Sequence, residues 1–300
     1  LLCCGVSMIF GVVGAGIMGS NLCRCLADRG IAVNIYSRSF EKASKLASEI
    51  GGRAYSDVRK LVEDSDAVVI FVTDDRAVLS IVDSIISRGR VDGGLIINAS
   101  TVTPTASSIS MEILSSVGIR YLEGPVYGSA DEARDCRLIS MVGGDRELFE
   151  NYRKFFEVYS QSVFYIGAVP KAMVLKLALN HIGLAVPAIL AEVLALITAW
   201  NVDLEVFREV SKSIWFGQLI ERYWDRIFGG KPPRFKMWMA GKDYRYIASA
   251  LKEKNIPSIV AEALSTIYMM PSATEYSDKD YPQIARYFID LANKIKEKKI

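Results

Sequence analysis

Up to residue 167 the chain repeats one pattern: a short run of β-branched and aliphatic residues, a turn, then an amphipathic helical stretch. That alternation leaves few folds open. Strands joined by helices pair in parallel through right-handed crossovers, and the helices cover both faces of the sheet. Met8–Val13 reads as the first strand, followed by a glycine turn and a helix to about Arg29 that Gly30 closes. Ala32–Tyr36 is a second strand. A helix from Glu41 follows, with Ala43, Leu46, Ala47 and Ile50 on one face and Gly51 just past its end. Asp66–Val72 reads as a continuous buried strand, and Val78, Ile81, Val82, Ile85 and Ile86 mark the next helix. Gly94–Asn98 is another strand, after which Thr103 caps a helix whose first position is Pro104. Strands near Ile119–Leu122, Ile139–Val142 and Val163–Ile166 extend the sheet.

After Gly167 the strand signal stops, and helical runs occupy roughly 169–200, 203–228, 240–254, 256–270 and 282–297. The expected architecture is α/β: a Rossmann-type doubly wound sheet over residues 1–168, then an all-α domain over 169–300 for substrate and oligomerisation. With 51% apolar and 23% charged residues the chain can bury a large core and does not read as disordered. A net charge of +2 supplies no field for nucleic acid or an anionic membrane, so neither is expected as a partner.

The opening Leu1–Ser7 lacks a basic n-region and reads as an upstream extension to Met8. The most apolar stretch, Leu177–Trp200, carries Asn180, His181, Pro187 and Glu192, so a buried helix is expected there rather than a membrane span. Cys3, Cys4, Cys23, Cys25 and Cys136 form no metal-ligand pattern and are expected to be idle or buried thiols in a cytoplasmic protein, with no metal.

Gly14-Ala15-Gly16-Ile17-Met18-Gly19 is a G-x-G-x-x-G between a strand end and a helix start. In that setting the first glycine allows the turn and the second lets a pyrophosphate approach the backbone. The third lets helix and strand pack closely, and the helix N-terminus supplies N–H donors. Where NAD sites place a carboxylate, after the second strand, this chain has Ser37-Arg38-Ser39. Arg38 can pair with a 2′-phosphate and both serines can donate to it, so NADP is favoured, with NAD possible; a solvated surface arginine is the competing reading.

Lys176 and Asn180 lie four apart and share a helix face. A lysine in an apolar run suits a general acid/base, since burial lowers its pKa from about 10.4. A structural lysine snorkelling to water is the alternative. His181 falls about 100° further round the helix and is expected to be a satisfied buried histidine between the domains. Trp215, Phe216, Tyr223, Trp224 and Phe228 read as core or subunit-interface packing, and the basic run from Asn293 to Lys299 as a solvated helix end.

Several motifs in order resemble the β-hydroxyacid dehydrogenases, the family of 3-hydroxyisobutyrate dehydrogenase and glyoxylate/succinic semialdehyde reductase, which are 6-phosphogluconate dehydrogenase-like. These are Gly11–Gly19, Ser100–Pro104, Gly124–Ala133 with Met141–Gly144, Gly167 through Lys176 to Asn180, and Phe235 with Lys242-Asp243. The resemblance implies that Lys176 exchanges a proton with the substrate oxygen while hydride passes to or from the nicotinamide. It implies that Asn180 binds substrate or orients Lys176, and that Tyr127, Gly128 and Ser129 hold the substrate carboxylate. Thr73, Thr101 and Lys242 would contact the cofactor, with Thr101 and Phe235 also beside the substrate and Asp243 positioning Lys176.

Tyr127 stands where many relatives have serine, and Pro170, Ala172 and Leu179 also depart from the family pattern. The implied activity is NADP(H)-dependent interconversion of a small β-hydroxy acid and its semialdehyde or keto partner, by a homodimer or homotetramer. The alternatives are an imine reductase-like enzyme, a group that usually lacks this lysine, and a non-catalytic dinucleotide-binding module.

Overall fold

The computed structural model describes residues 8–87, 89 and 94–297. The expectations for residues 1–7, with Cys3 and Cys4, and for the last lysines of the tail lie outside the described residues. Two compact units divide the chain, Leu1–Lys176 and Leu177–Ile300.

In the first unit the elements run β1 (Ile9–Val13), α1 (Ile17–Asp28), β2 (Ala32–Tyr36), α2 (Phe40–Ile50), β3 (Arg53–Tyr55), α3 (Val58–Glu63), β4 (Ala67–Ile70) and α4 (Asp75–Ile86). They continue with β5 (Leu95–Asn98), α5 (Pro104–Ser116), β6 (Arg120–Glu123), β7 (Val126–Tyr127), α6 (Ala130–Arg134), β8 (Leu138–Gly144), α7 (Arg146–Tyr159) and β9 (Ser160–Gly167). The strand order is β3-β2-β1-β4-β5-β6-β8-β7, with β9 also paired to β8. The doubly wound part is parallel from β3 to β6, as the alternation predicts. Beyond β6 the sheet is mixed: β8 runs antiparallel to β6 and β7 and parallel to β9. The all-parallel expectation fails there because only residues 128–137, with the five-residue α6, join β7 to β8, too few for the crossover that a parallel return needs.

The helix ends follow their sequence signals. Ser39, Asp74 and Thr103 cap α2, α4 and α5 through their side chains, and Gly51 ends α2 at φ +69°. The sheet buries Phe10, Val12, Ile35, Val69, Ile97 and Leu122 on one face and Val13, Val68, Ile70 and Ile96 on the other. Each such aliphatic side chain contributes roughly 1.5–3 kcal/mol by leaving water.

The cysteine expectation is corrected. Cys25 of α1 and Cys136, just after α6, form a disulfide between two buried positions 111 residues apart. No local spacing announces a pair so distant in sequence; α1 packing on α6 brings the two together, and Arg134 pairs with Asp28 alongside. Cys23 is a free, buried thiol whose pKa burial pushes up to about 12.

In the second unit α8 (Lys171–Ala199), which starts in the first, is followed by α9 (Leu204–Lys212), α10 (Gly217–Phe228), α11 (Met237–Lys252), α12 (Ile259–Met269) and α13 (Ile284–Glu297). The run expected over 203–228 is two helices: the N–H groups of Ser213, Ile214 and Gly217 close tight turns. Gly217 sits so near Ser211 that a Cβ would come within 2.1 Å of its carbonyl oxygen. Leu184, Ala188, Ala191 and Leu194 of α8 face a core with Ile220, Trp224, Tyr244 and Tyr268. By length and composition α8 is the one helix among the described residues that could cross a membrane. Its other face leaves Ile182, Ile189 and Leu196 exposed at 71%, 58% and 59%.

Candidate active site

Within the first unit, the glycine loop leaves β1 at Val13 and enters α1 at Ile17. Gly14 adopts φ +114°, and a Cβ there would lie 2.0 Å from the Phe71 carbonyl oxygen. A Cβ on Gly19 would lie 1.8 Å from the carbonyl oxygen of Gly14, so only hydrogen fits where α1 crosses the strand end. Gly16 is the N-cap, with nothing within 4 Å of its Cβ position. No side chain caps this helix and its first turn carries no acid, so its N–H groups are presented to an incoming anion. The cradle fits a dinucleotide pyrophosphate.

Ser37, Arg38 and Ser39 follow β2 directly, with Arg38 exposed. The Ser39 oxygen accepts from the Lys42 N–H at 3.4 Å as the cap of α2, so toward a phosphate Ser39 offers its hydroxyl hydrogen. Thr73, in the β4–α4 turn, donates to Asp74 at 3.0 Å.

Thr101 lies in the β5–α5 loop, which is pinned on both sides. Ser100 Oγ donates to the Ile70 carbonyl at 3.1 Å and accepts from the Val72 N–H at 3.0 Å. Thr103 donates both its N–H and its hydroxyl to Asp75, at 2.9 and 2.7 Å. Asp75, an acid in the first turn of α4, was not singled out in the sequence; its partner Thr103 is 28 residues away.

Tyr127 of β7 is 36% exposed, and the Lys176 ammonium stands 5.2 Å from its ring centroid. The aromatic face attracts that cation and fixes where it sits. Gly128 takes φ +141°, where a Cβ would meet Leu138 at 2.8 Å. Ser129 gives both its N–H, at 2.7 Å, and its hydroxyl to the Glu132 carboxylate in a capping box of α6. Of the Tyr127, Gly128 and Ser129 groups that the resemblance implies for a substrate carboxylate, both Ser129 donors are therefore already engaged, by the S-x-x-E spacing that starts a helix.

Glu123, at the end of β6, was not singled out in the sequence, although a charged residue closing an apolar strand was the available signal. It is fully buried. Its carboxylate accepts from Ser107 Oγ at 2.6 Å and from the Ala172 N–H at 3.1 Å, and burial pushes its pKa up to about 6.

The second unit holds the remaining candidates. Asn180 donates Nδ2 to Asp243 Oδ2 at 2.7 Å, and Lys242 Nζ lies 3.1 Å from Asp243 Oδ1. All three side chains are buried, and the Lys242 ammonium also stands 4.7 Å from the Tyr246 ring centroid. The Asp243 carboxylate is thus shared by Asn180 and Lys242. Phe235 is fixed through its backbone: its N–H donates to Asp280 at 3.1 Å and its carbonyl accepts from Tyr281. Asp280 is itself clamped by two bonds from Arg226, at 2.8 and 3.0 Å. The satisfied histidine expected at 181 is not found: its Nδ1 is buried and makes no hydrogen bond, while its ring meets Tyr244 edge-on. Among the described residues no group of three or more His, Cys, Asp or Glu could hold a metal ion.

Comparison with known proteins places the chain. Residues 9–167 match the family described as the NAD binding domain of 6-phosphogluconate dehydrogenase. The curated cytokine-like nuclear factor N-PAC of Gallus gallus is 26% identical over 286 residues, 93% of this chain and 51% of that protein. The chain spans about half the length of such relatives. Among solved structures, Mycobacterium tuberculosis 3-hydroxyisobutyrate dehydrogenase with L-serine matches at TM-score 0.80 and 20% identity, covering 94% of this chain and 99% of that one. A Myxococcus stipitatus imine reductase in complex with NADP+ matches at TM-score 0.62 and 21% identity, covering 93% and 99%. At these identities the structures establish the shared fold.

Proposed function

The chain belongs to the family described as the NAD binding domain of 6-phosphogluconate dehydrogenase; on that premise we propose that it is a β-hydroxyacid dehydrogenase, an NADP(H)-preferring oxidoreductase. It interconverts a small β-hydroxy acid and its semialdehyde or keto partner. The observation that carries this reading is the Lys176 ammonium set over the Tyr127 ring, in the same unit as the dinucleotide cradle.

When bound, the nicotinamide supplies the hydride chemistry. The α1 N–H groups and the glycine loop hold the pyrophosphate, Arg38 with Ser37 and Ser39 holds the 2′-phosphate, and Thr73 and Thr101 line the approach to the ring. Lys176 donates a proton to the carbonyl oxygen during reduction and takes it from the hydroxyl during oxidation; its positive charge stabilises the developing alkoxide. Asn180 has committed an amide N–H to Asp243. That bond takes one of its two amide N–H groups, so the second N–H and the carbonyl oxygen are what it offers a substrate. The Lys242–Asp243 pair holds that orientation. The subunits associate through the exposed apolar row of α8.

The test is an initial-rate screen with NADPH against glyoxylate, succinic semialdehyde and methylmalonate semialdehyde, and with NADP+ against serine and 3-hydroxypropionate. Lys176→Ala should lower turnover by about 10³-fold with NADPH affinity nearly intact; normal turnover in that variant rejects the proton-transfer role. A second reading, a dinucleotide-binding module without turnover, is favoured by one observation: Glu132 occupies both Ser129 donors with a competing carboxylate. NADPH binding without consumption across the whole panel would select it.

A further inference from the structure

The start of α8 is held by a carboxylate from a distant strand. Pro170, which precedes the helix, has neither an N–H nor a side-chain oxygen to offer, so the first-turn N–H groups need acceptors elsewhere. That of Lys171 reaches the Ala168 carbonyl at 3.0 Å, and that of Val174 the Pro170 carbonyl at 3.1 Å. The N–H of Ala172 goes to Glu123 Oε2 at 3.1 Å, 49 residues back, and the Met173 N–H bonds the same carboxylate.

Behind it runs a buried polar chain. Ser107 Oγ donates to Glu123 Oε1 at 2.6 Å and lies 2.9 Å from the Tyr121 hydroxyl, which in turn accepts from Asn98 Nδ2 at 3.2 Å. Gly143 makes the space: a Cβ there would sit 2.3 Å from Glu123 Oε2 and 3.0 Å from the Ala172 Cβ.

Lys176 lies four residues past Ala172, about 6 Å along the axis and nearly on the same helix face. Whatever fixes the axial position and rotation of that first turn therefore fixes where the Lys176 ammonium stands against Tyr127. A displacement of about 1 Å in a reacting group costs on the order of 10²-fold in rate.

We propose that Glu123 is a positioning residue, whose carboxylate anchors the first turn of α8 and so places Lys176 for proton transfer. The proposal rests on the reading of Lys176 as the proton donor. Glu123 touches neither substrate nor cofactor in this scheme; it acts through the helix.

The anchor is pH-dependent. Around Glu123, β6 contributes the Tyr121 phenol, kept neutral by burial, and β5 the Asn98 amide. The Ser107 hydroxyl comes from α5, backbone N–H groups from α8, and β8 contributes Gly143, which has no side chain. Burial raises the carboxyl to about 6, against the lowering effect of Ser107 and the two N–H groups. As pH falls through that value the carboxylate takes up a proton and the charged acceptor at the helix start is lost. Turnover should then fall on the acid side.

The experiment uses the full chain and Glu123→Gln, which keeps the shape and one acceptor but removes the charge and its titration. Amide hydrogen exchange is followed over residues 171–176 against β1 as internal reference, and turnover of succinic semialdehyde with NADPH is measured from about pH 5 to 8. The expected result is exchange at least about fivefold faster over 171–176 with β1 unchanged. It is accompanied by kcat lower by about tenfold, KM for NADPH within about twofold, and no acid limb near pH 6.

Unchanged exchange, or a wild-type pH profile in Glu123→Gln beside an inactive Lys176→Ala, overturns the positioning role alone. Full turnover in Lys176→Ala overturns the proton-donor reading, and the positioning role with it. Should Glu123→Gln fail to fold, Ser107→Ala decides: losing the hydroxyl should move the acid limb of kcat to higher pH, and an unmoved limb overturns the proposal.

Discussion

Replacing Cys136 with alanine opens a covalent loop that encloses most of the dinucleotide-binding unit. The bond joins residues 111 apart. In the chain-entropy treatment, closing a loop of that length removes about 16 cal/mol/K from the unfolded ensemble, or about 4.8 kcal/mol at 25 °C. Cys25 would remain as a buried thiol, so little packing is lost, and a loss of about 3–5 kcal/mol in unfolding free energy is expected. Urea unfolding should be followed by far-UV circular dichroism without reductant. Tryptophan fluorescence separates the units, because all four tryptophans, Trp200, Trp215, Trp224 and Trp238, lie in the second unit while the disulfide lies in the first. Wild-type protein measured with reductant should fall to the stability of the variant. Equal stability of variant and oxidised wild type, within about 0.5 kcal/mol, would refute the argument, as would a peptide map in which Cys25 and Cys136 are not joined.

Two further outcomes test the cofactor and assembly readings. Arg38→Asp removes the 2′-phosphate partner and supplies a ribose acceptor. It should shift the NADP/NAD ratio of kcat/KM toward NAD by about 30-fold or more, and an unchanged ratio in initial-rate assays rejects the phosphate clamp. By light scattering the chain should run as a dimer or tetramer and Ile189→Glu as a smaller species. A monomeric wild type removes the α8 surface from the account.

The parallel half of the sheet was legible because each strand carries a continuous apolar run and each helix a capped, periodic one. β3, α3 and β7 were not: with three, six and two residues they are too short to set a period. Of the candidate site, the glycine loop was legible because its spacing is contiguous in sequence and lies between a strand and a helix, and Gly19 packs on the carbonyl of Gly14 five residues back. The engagements of Asp75 and Glu123 were not, whereas that of Ser129 was open to reading in its S-x-x-E spacing. A side chain's partner is set by what the fold brings alongside, and for Glu123 that is a helix start 49 residues away. The same limit hid the disulfide. His181 shows the reverse error: polarity within a buried helix suggested a hydrogen-bonded ring, and the ring instead packs against Tyr244 with its Nδ1 unbonded.

The row Ile182, Ile189, Leu196 on α8 repeats every seven residues, whereas a straight helix returns to the same face only after a slightly different count. The mismatch rotates the row by about 20° per repeat, so it winds slowly around the helix as a left-handed ribbon instead of running along it. Any second helix laid against those three side chains must follow the ribbon and meets α8 at a shallow incline of roughly 20°; a steep crossing would touch one of them and leave the other two in water.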